Sequence, residues 1–174
     1  MHVHSSASAG PVIHAASWVD APECYSEPEE VYAQAIARGM DFVTITDHDT
    51  IRGALSLVER RFPNVLIGQE VTVRFPRDDV KLHVLVYGLT PELDEQINTL
   101  ALRDDVHAFA HWLAERNLPH SLAHPLHAQS RAYGVEHLEQ CMLLFRSVEL
   151  VNGAHGGVRR DVMERYLRTL TPDR

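Results

Sequence analysis

The run Val43-Thr44-Ile45-Thr46-Asp47-His48-Asp49-Thr50 passes from an apolar strand directly into Asp-His-Asp, where Gly and Asn would fold more easily. Imidazole and carboxylate together are a ligand set for Zn²⁺, Mn²⁺ and Fe²⁺, and the same side chains recur elsewhere. His2 and His4 lie two apart, which puts both rings on one side of an extended segment. Glu70 closes Gly68-Gln69-Glu70 at the end of a strand, His83 sits in KLHVLVY, and His124 follows Ser121-Leu122-Ala123. Taken singly, each has a plainer explanation. A strand-end His is usually a hydrogen-bonded loop residue, and His2 and His4 fit a frayed terminus. Glu70 fits a solvated charge and His83 a satisfied core histidine. Their delivery to one predicted rim by four or five separate elements favours a metal site.

The elements that must position them alternate between strand and helix. Ser26-Glu27-Pro28-Glu29 has capping-box spacing and opens a helix whose apolar face is Val31, Ala35 and Ile36, with Gly39 as its stop. Strands are expected over 41–46, 64–68 continuing through 71–75, 81–87, 120–123 and 147–151. Pro76-Arg77-Asp78-Asp79 supplies a hairpin turn that can return His83 beside Glu70. Helices are expected over 51–61, 135–145 and 158–170, with one long or two shorter helices over 91–117 capped by Thr90. This order predicts an α/β fold with a mainly parallel sheet, whose functional side chains gather at the carboxyl ends of the strands.

Bulk properties narrow the function. The chain has 174 residues, a net charge of −8 and 45% hydrophobic residues, which suits one domain with a real core. That charge excludes a sequence-independent nucleic-acid binder, which needs a basic stripe. It leaves room for a phosphorylated substrate if metal ions supply local positive charge. No apolar run is long enough to span a bilayer, and the N-terminus carries neither the basic nor the apolar part of a signal peptide. Cys24 and Cys141 form no framework, so reduced thiols and a cytoplasmic location are expected. Histidine is abundant, with 12 residues, whereas Lys81 is the only lysine.

The chain resembles the PHP (polymerase and histidinol phosphatase) family of metal-dependent phosphoesterases. The resemblance rests on His2-Val3-His4-Ser5, Ile45-Thr46-Asp47-His48-Asp49-Thr50, Glu70 with His83, and Ala123-His124-Pro125, in that order, and runs from His2 to about Gly153. It implies a distorted (β/α)7 barrel and a single PHP-like domain over residues 1–174. It also implies that His2, His4 and Glu70 hold a first metal, that Glu70, His83 and His124 hold a second, and that His48 belongs to a third. Asp47 would steer His48 from behind. The implied cofactors are two divalent transition-metal ions, Mn²⁺, Zn²⁺ or Fe²⁺. A shared carboxylate would set them ~3.5–4 Å apart, so that activated water attacks a phosphate mono- or diester in line. A small phosphorylated molecule or a nucleotide is the implied substrate.

The pattern departs from the family in three places. Ser8-Ala9-Gly10 stands where a third-metal ligand is usual, with His14 as a substitute. No D-x-H motif follows Asn152, since neither Asp161 nor Asp173 has His two residues later. No strand precedes His2-Val3-His4. The expectation is therefore a barrel incomplete at both ends, slow in turnover and prone to self-association through open edges.

Two other readings compete: an amidohydrolase, in which a carboxylated Lys81 would bridge the metals, and a degenerate metal-binding or regulatory remnant. His107 and His111 have metalloprotease spacing but lack the accompanying Glu, so a solvated helix face is expected. His120, His127, His137 and His155 are expected at the surface or on the substrate side. Asn152 is expected either to touch substrate or to cap.

Overall fold

The computed structural model describes residues 1–8, 24–127, 130, 132–153 and 157–170; His14, His155 and Asp173 lie outside them. The element order is α1 (Pro28–Ala37), β1 (Val43–Ile45), α2 (Arg52–Glu59), β2 (Val65–Arg74), β3 (Lys81–Tyr87), α3 (Pro91–Thr99), a 3₁₀ turn (Leu102–Asp104), α4 (Val106–Glu115), β4 (His120–Leu122), α5 (Val135–Leu144) and α6 (Gly157–Leu170).

Local chemistry sets several boundaries. Pro28 occupies the first turn of α1, where its fixed φ is pre-set for helix, so the cap is Glu27 rather than Ser26. The Glu30 carboxylate then accepts the Glu27 N–H at 3.0 Å. Gly39 takes φ +84° just past the helix end, the left-handed conformation that suits glycine. Ile36, expected on the buried face, is 42% exposed. Between 91 and 117 the chain makes two helices, because Ala101 turns left-handed at φ 51° and Asp105 caps α4 through the His107 N–H at 2.8 Å.

The described strands form an open sheet in the order β1-β2-β3-β4. The expectation of mainly parallel pairing needs correction: β1 pairs β2 in parallel, but β3 is antiparallel to both β2 and β4. The reason is the tight Pro76–Asp79 turn, since parallel neighbours need a long crossover. β1, β2 and β4 still run in one direction. A closed (β/α)7 barrel is not what these residues form.

The sheet is nevertheless curved enough for its two flanks to meet. At one flank Val3 lies beside β1, its carbonyl accepting the Thr46 N–H at 2.8 Å. At the other, the stretch expected to be a strand over 147–151 makes an isolated parallel bridge between Val148 and Leu122 of β4. His2 and Glu149, neighbours of those two positions, touch at 3.0 Å.

Alternation decides what each face carries. Val71 and Val73 of β2, with Leu82, Val84 and Val86 of β3, join the main apolar core with Phe109 and Leu113 of α4 and Phe145. Residues between them point the other way. Glu70 pairs with Leu85 and Thr72 with His83, so Glu70 and His83 share the face turned away from that core. A second apolar cluster of Val31, Ile45, Ala54 and Leu57 seats α1 and α2 against β1.

Candidate metal centre

Glu70 is fully buried, at 0% exposure, and five imidazoles face its carboxylate. Its Oε2 lies 2.8 Å from His2 Nε2, 3.1 Å from His4 Nε2 and 3.5 Å from His48 Nδ1. Its Oε1 lies 2.8 Å from both His83 Nδ1 and His124 Nε2. Burial alone would raise the Glu70 carboxyl, but hydrogen bonds from His124, His2, His4 and His83 outweigh it and hold the group below the ordinary carboxylate range. For His83 the burial wins, and its pKa is lowered despite Glu70.

The Asp-His-Asp turn divides its labour. Asp47, 1% exposed, accepts the Ser5 N–H at 2.6 Å and the Ser5 hydroxyl at 2.8 Å. It therefore anchors the segment that carries His2 and His4. Gly53 makes this possible, because a Cβ there would overlap the Asp47 carboxylate and the Ser5 hydroxyl. His48 turns towards Glu70, and its backbone N–H donates to Ser8 Oγ at 3.0 Å. Asp49, left-handed at φ 54°, accepts the Thr72 N–H at 2.8 Å and meets Arg103 at 3.3 Å, tying the turn to β2.

Glu149 was not among the residues singled out in the sequence. Its Oε1 meets His2 Nδ1 at 3.0 Å, and its Oε2 accepts the His124 backbone N–H at 2.8 Å and the Asn152 amide at 3.2 Å. Burial would raise the Glu149 carboxyl, yet His2 holds it down. Burial would likewise lower His2, but Glu149 and Glu70 together lift it to about 9. Glu149 thus orients one imidazole and the backbone under another. The available signal was a carboxylate in Ser147–Val151, a predicted strand, as for Glu70. His124 itself is left-handed at φ 26°, an uncommon conformation for a residue other than glycine and one met at functional sites.

The donor set fits a divalent cation. Three ring nitrogens converge on the single oxygen Oε2, and His2 Nε2 and His4 Nε2 lie 3.1 Å apart. Imidazole nitrogens gathered on one carboxylate oxygen are the kind of donor set that a divalent transition-metal ion takes. Among the described residues, two groups have ligand atoms close enough to share an ion: His2, His4 and Glu70, and His48, Glu70 and His83. Glu70 belongs to both. The first group matches the resemblance. In the second, His48 stands beside His83, their ring centroids 4.6 Å apart. His124 still reaches Oε1 directly.

Among the described residues, His107, His111, His120 and His137 lie apart from this cluster. His111 is exposed and pairs with Glu115 at 3.2 Å, and His107 lies edge-on to Phe75. His120 faces the Leu118 carbonyl at 2.7 Å. His137, expected at the surface or substrate side, is 6% exposed and pins α5 to the hairpin turn through Asp78 at 3.2 Å. Lys81 is exposed at the far end of β3, opposite Arg74.

No family model matches the sequence, and no curated protein does. Solved structures do match the fold. An amidohydrolase from Chromobacterium violaceum, solved with bound sulfate and no metal, superposes with a TM-score of 0.61 at 17% identity, covering 97% of this chain and 82% of its own. A "putative metal-dependent phosphoesterase" from Bifidobacterium adolescentis superposes with a TM-score of 0.63 at 15% identity, with the same coverage of 97% and 82%. At such identities the likeness extends to the fold.

Proposed function

We propose that the chain is a metal-dependent phosphoesterase of the PHP type, its sheet belonging to the family's barrel, which hydrolyses a phosphate mono- or diester of a small molecule or nucleotide. The observation that carries this reading is the shared, fully buried Glu70 with imidazoles on both oxygens. His2, His4 and Glu70 would hold one ion; Glu70, His83 and His48 or His124 would hold the other. Bound Mn²⁺, Zn²⁺ or Fe²⁺ would supply an acidified water and neutralise phosphoryl charge. The chain's own residues do the rest. Asp47 and Glu149 fix the imidazoles from opposite flanks of the sheet, so that the ligands need no reorganisation on loading. The net charge of −8 gives an anionic substrate no general attraction to the protein, so local positive charge must draw it.

The amidohydrolase reading is the runner-up, supported by the fold shared with the Chromobacterium protein. Hydrolysis of p-nitrophenyl phosphate and bis(p-nitrophenyl) phosphate, set against dihydrouracil, separates the two. Ester turnover that chelation abolishes and Mn²⁺ restores is the expected result. Amide turnover alone would transfer the assignment, and tight metal binding without either activity would leave a regulatory metal site. Among the described residues no helix is long and apolar enough to cross a membrane. A cytoplasmic location and self-association through exposed apolar residues such as Leu143 and Val151 are part of the proposal.

A further inference from the structure

A cleft opens on the opposite face of the sheet from the metal centre. Gln69 precedes Glu70 on β2 and so points the other way, to α3, where its Nε2 donates to Asp94 Oδ1 at 3.1 Å. Asp94 lines an open cleft of about 440 Å³ between the N-terminal turns of α2 and α3, with Arg52, Ile51, Leu55 and Pro91 among its other residues. That volume is in the range of small-molecule sites. The fold alone does not account for the charges here. Arg52 is exposed in the first turn of α2, which holds no acidic residue, so a cation sits where the helix dipole favours an anion. Arg52 and Asp94 border one cleft, yet neither takes part in an ion pair among the described residues. Asp49, also on the cleft, differs in meeting Arg103 at 3.3 Å. Beneath Asp94, Gln69 is 0% exposed and its Oε1 has no hydrogen-bond partner. A buried amide left half-satisfied in order to hold one carboxylate costs stability. Burial pushes the Asp94 carboxyl above its ordinary range, and Gln69 and Arg103 offset only part of that, so a cation brought to it is favoured.

We propose that this cleft binds a small zwitterion, an α-amino acid with an aliphatic side chain. Arg52, at the N-terminus of α2, takes the carboxylate, Asp94 takes the ammonium, and Ile51, Leu55 and Pro91 face the side chain. The charges decide the class. A simple anion drawn to Arg52 would also face Asp94 and Asp49, and a simple cation drawn to Asp94 would face Arg52. A ligand that carries both charges on neighbouring groups answers both unpaired side chains at once. It would touch the residues that flank His48 and Glu70 along the chain, Asp49 and the Gln69–Asp94 pair, but none of the candidate metal ligands.

Calorimetry on the Mn²⁺-loaded chain tests this, with L-alanine, L-valine and L-leucine as probes. Each is compared with the carboxylate and the amine that keep its side chain but lack one charge; for L-leucine these are 4-methylpentanoate and 3-methylbutylamine. At least one amino acid should bind ~10-fold or more tightly than either of its partners, the size of a charge-assisted hydrogen bond. Arg52→Met should abolish the advantage over the amine while leaving amine binding unchanged. Asp94→Asn should abolish the advantage over the carboxylate. Metal content should match the wild type in both variants; if Asp94→Asn loses its metal, the exposed Arg52→Met decides alone. An absence of any preference for the amino acids overturns the site. So does a preference that survives both substitutions, which would mean that the amino acid chelates Mn²⁺ instead. Neither result bears on what the metal centre hydrolyses.

Discussion

Two histidine–carboxylate assemblies among the described residues differ in kind. Around Asp78 there is one imidazole, His137, at 3.2 Å, packed between Phe75 and Tyr133. Around Glu70 there are five, brought from His2, His4, His48, His83 and His124. Arg77 also holds the Asp78 carboxylate, at 2.9 Å, so His137 is explained by packing and a hydrogen bond. Five around one carboxylate exceed any charge balance the protein needs for itself. A buried carboxylate shared by two groups of imidazole ligands fits a site for cations better than one for stability.

Substitutions can break that contrast. Glu70→Gln should have the largest effect, lowering bound metal at least ~10-fold by elemental analysis, because it removes the ligand common to both groups. His124→Ala should lower metal occupancy and ester hydrolysis together. His137→Ala should do the reverse, costing ~1–3 kcal/mol in denaturant unfolding through the lost packing of a buried ring while metal content holds. If His137→Ala strips metal or His124→Ala leaves it, the two assemblies have been wrongly distinguished.

Glu149→Gln sharpens the comparison at the margin of the site. It keeps the shape but weakens the contacts to His2 and the His124 backbone, so metal affinity should fall ~10–100-fold. An unchanged affinity would reduce Glu149 to a bystander.

Proton competition gives the metal centre a pH signature. His2 is raised from 6.5 to about 9 in the metal-free chain. Its contribution to folding is therefore complete below 6.5 and is lost as pH rises through about 9. A metal must displace that proton, so its affinity should climb by up to ~10-fold per pH unit towards pH 9. Thermal melts of metal-free and metal-loaded protein should accordingly diverge as pH rises. Parallel melts would remove His2 from the ligand set. The smallest effect belongs to His111→Ala, whose exposed ring meets Glu115; metal content and activity should stay as in the wild type.

Much of this was legible in the sequence because strand alternation is local. Glu70 and His83 follow from their positions in β2 and β3, and the hairpin turn between them is written in Pro76–Asp79. The pairing of His48 with His83 was less accessible, since it depends on how far β1 slides along β2, set by the Val43–Val65 register. Glu149 was overlooked because Val148 makes an isolated bridge where a full strand was expected, and its importance comes from sheet curvature that brings it to His2. His137 misled for a related reason: its partner Asp78 is 59 residues away, and no local spacing announces it. Asp47 was recognised as a supporting residue, but its contact with Ser5 depends on the close approach that Gly53 allows.

The most direct test is the metal stoichiometry of chelator-stripped protein reloaded with Mn²⁺, Fe²⁺ or Zn²⁺, measured by elemental analysis beside Glu70→Gln. One to two ions per chain in the wild type, and a loss of at least ~10-fold in the variant, is the predicted result. Less than about a tenth of an equivalent in the wild type, or equal loading of the two proteins, would contradict a centre organised on Glu70.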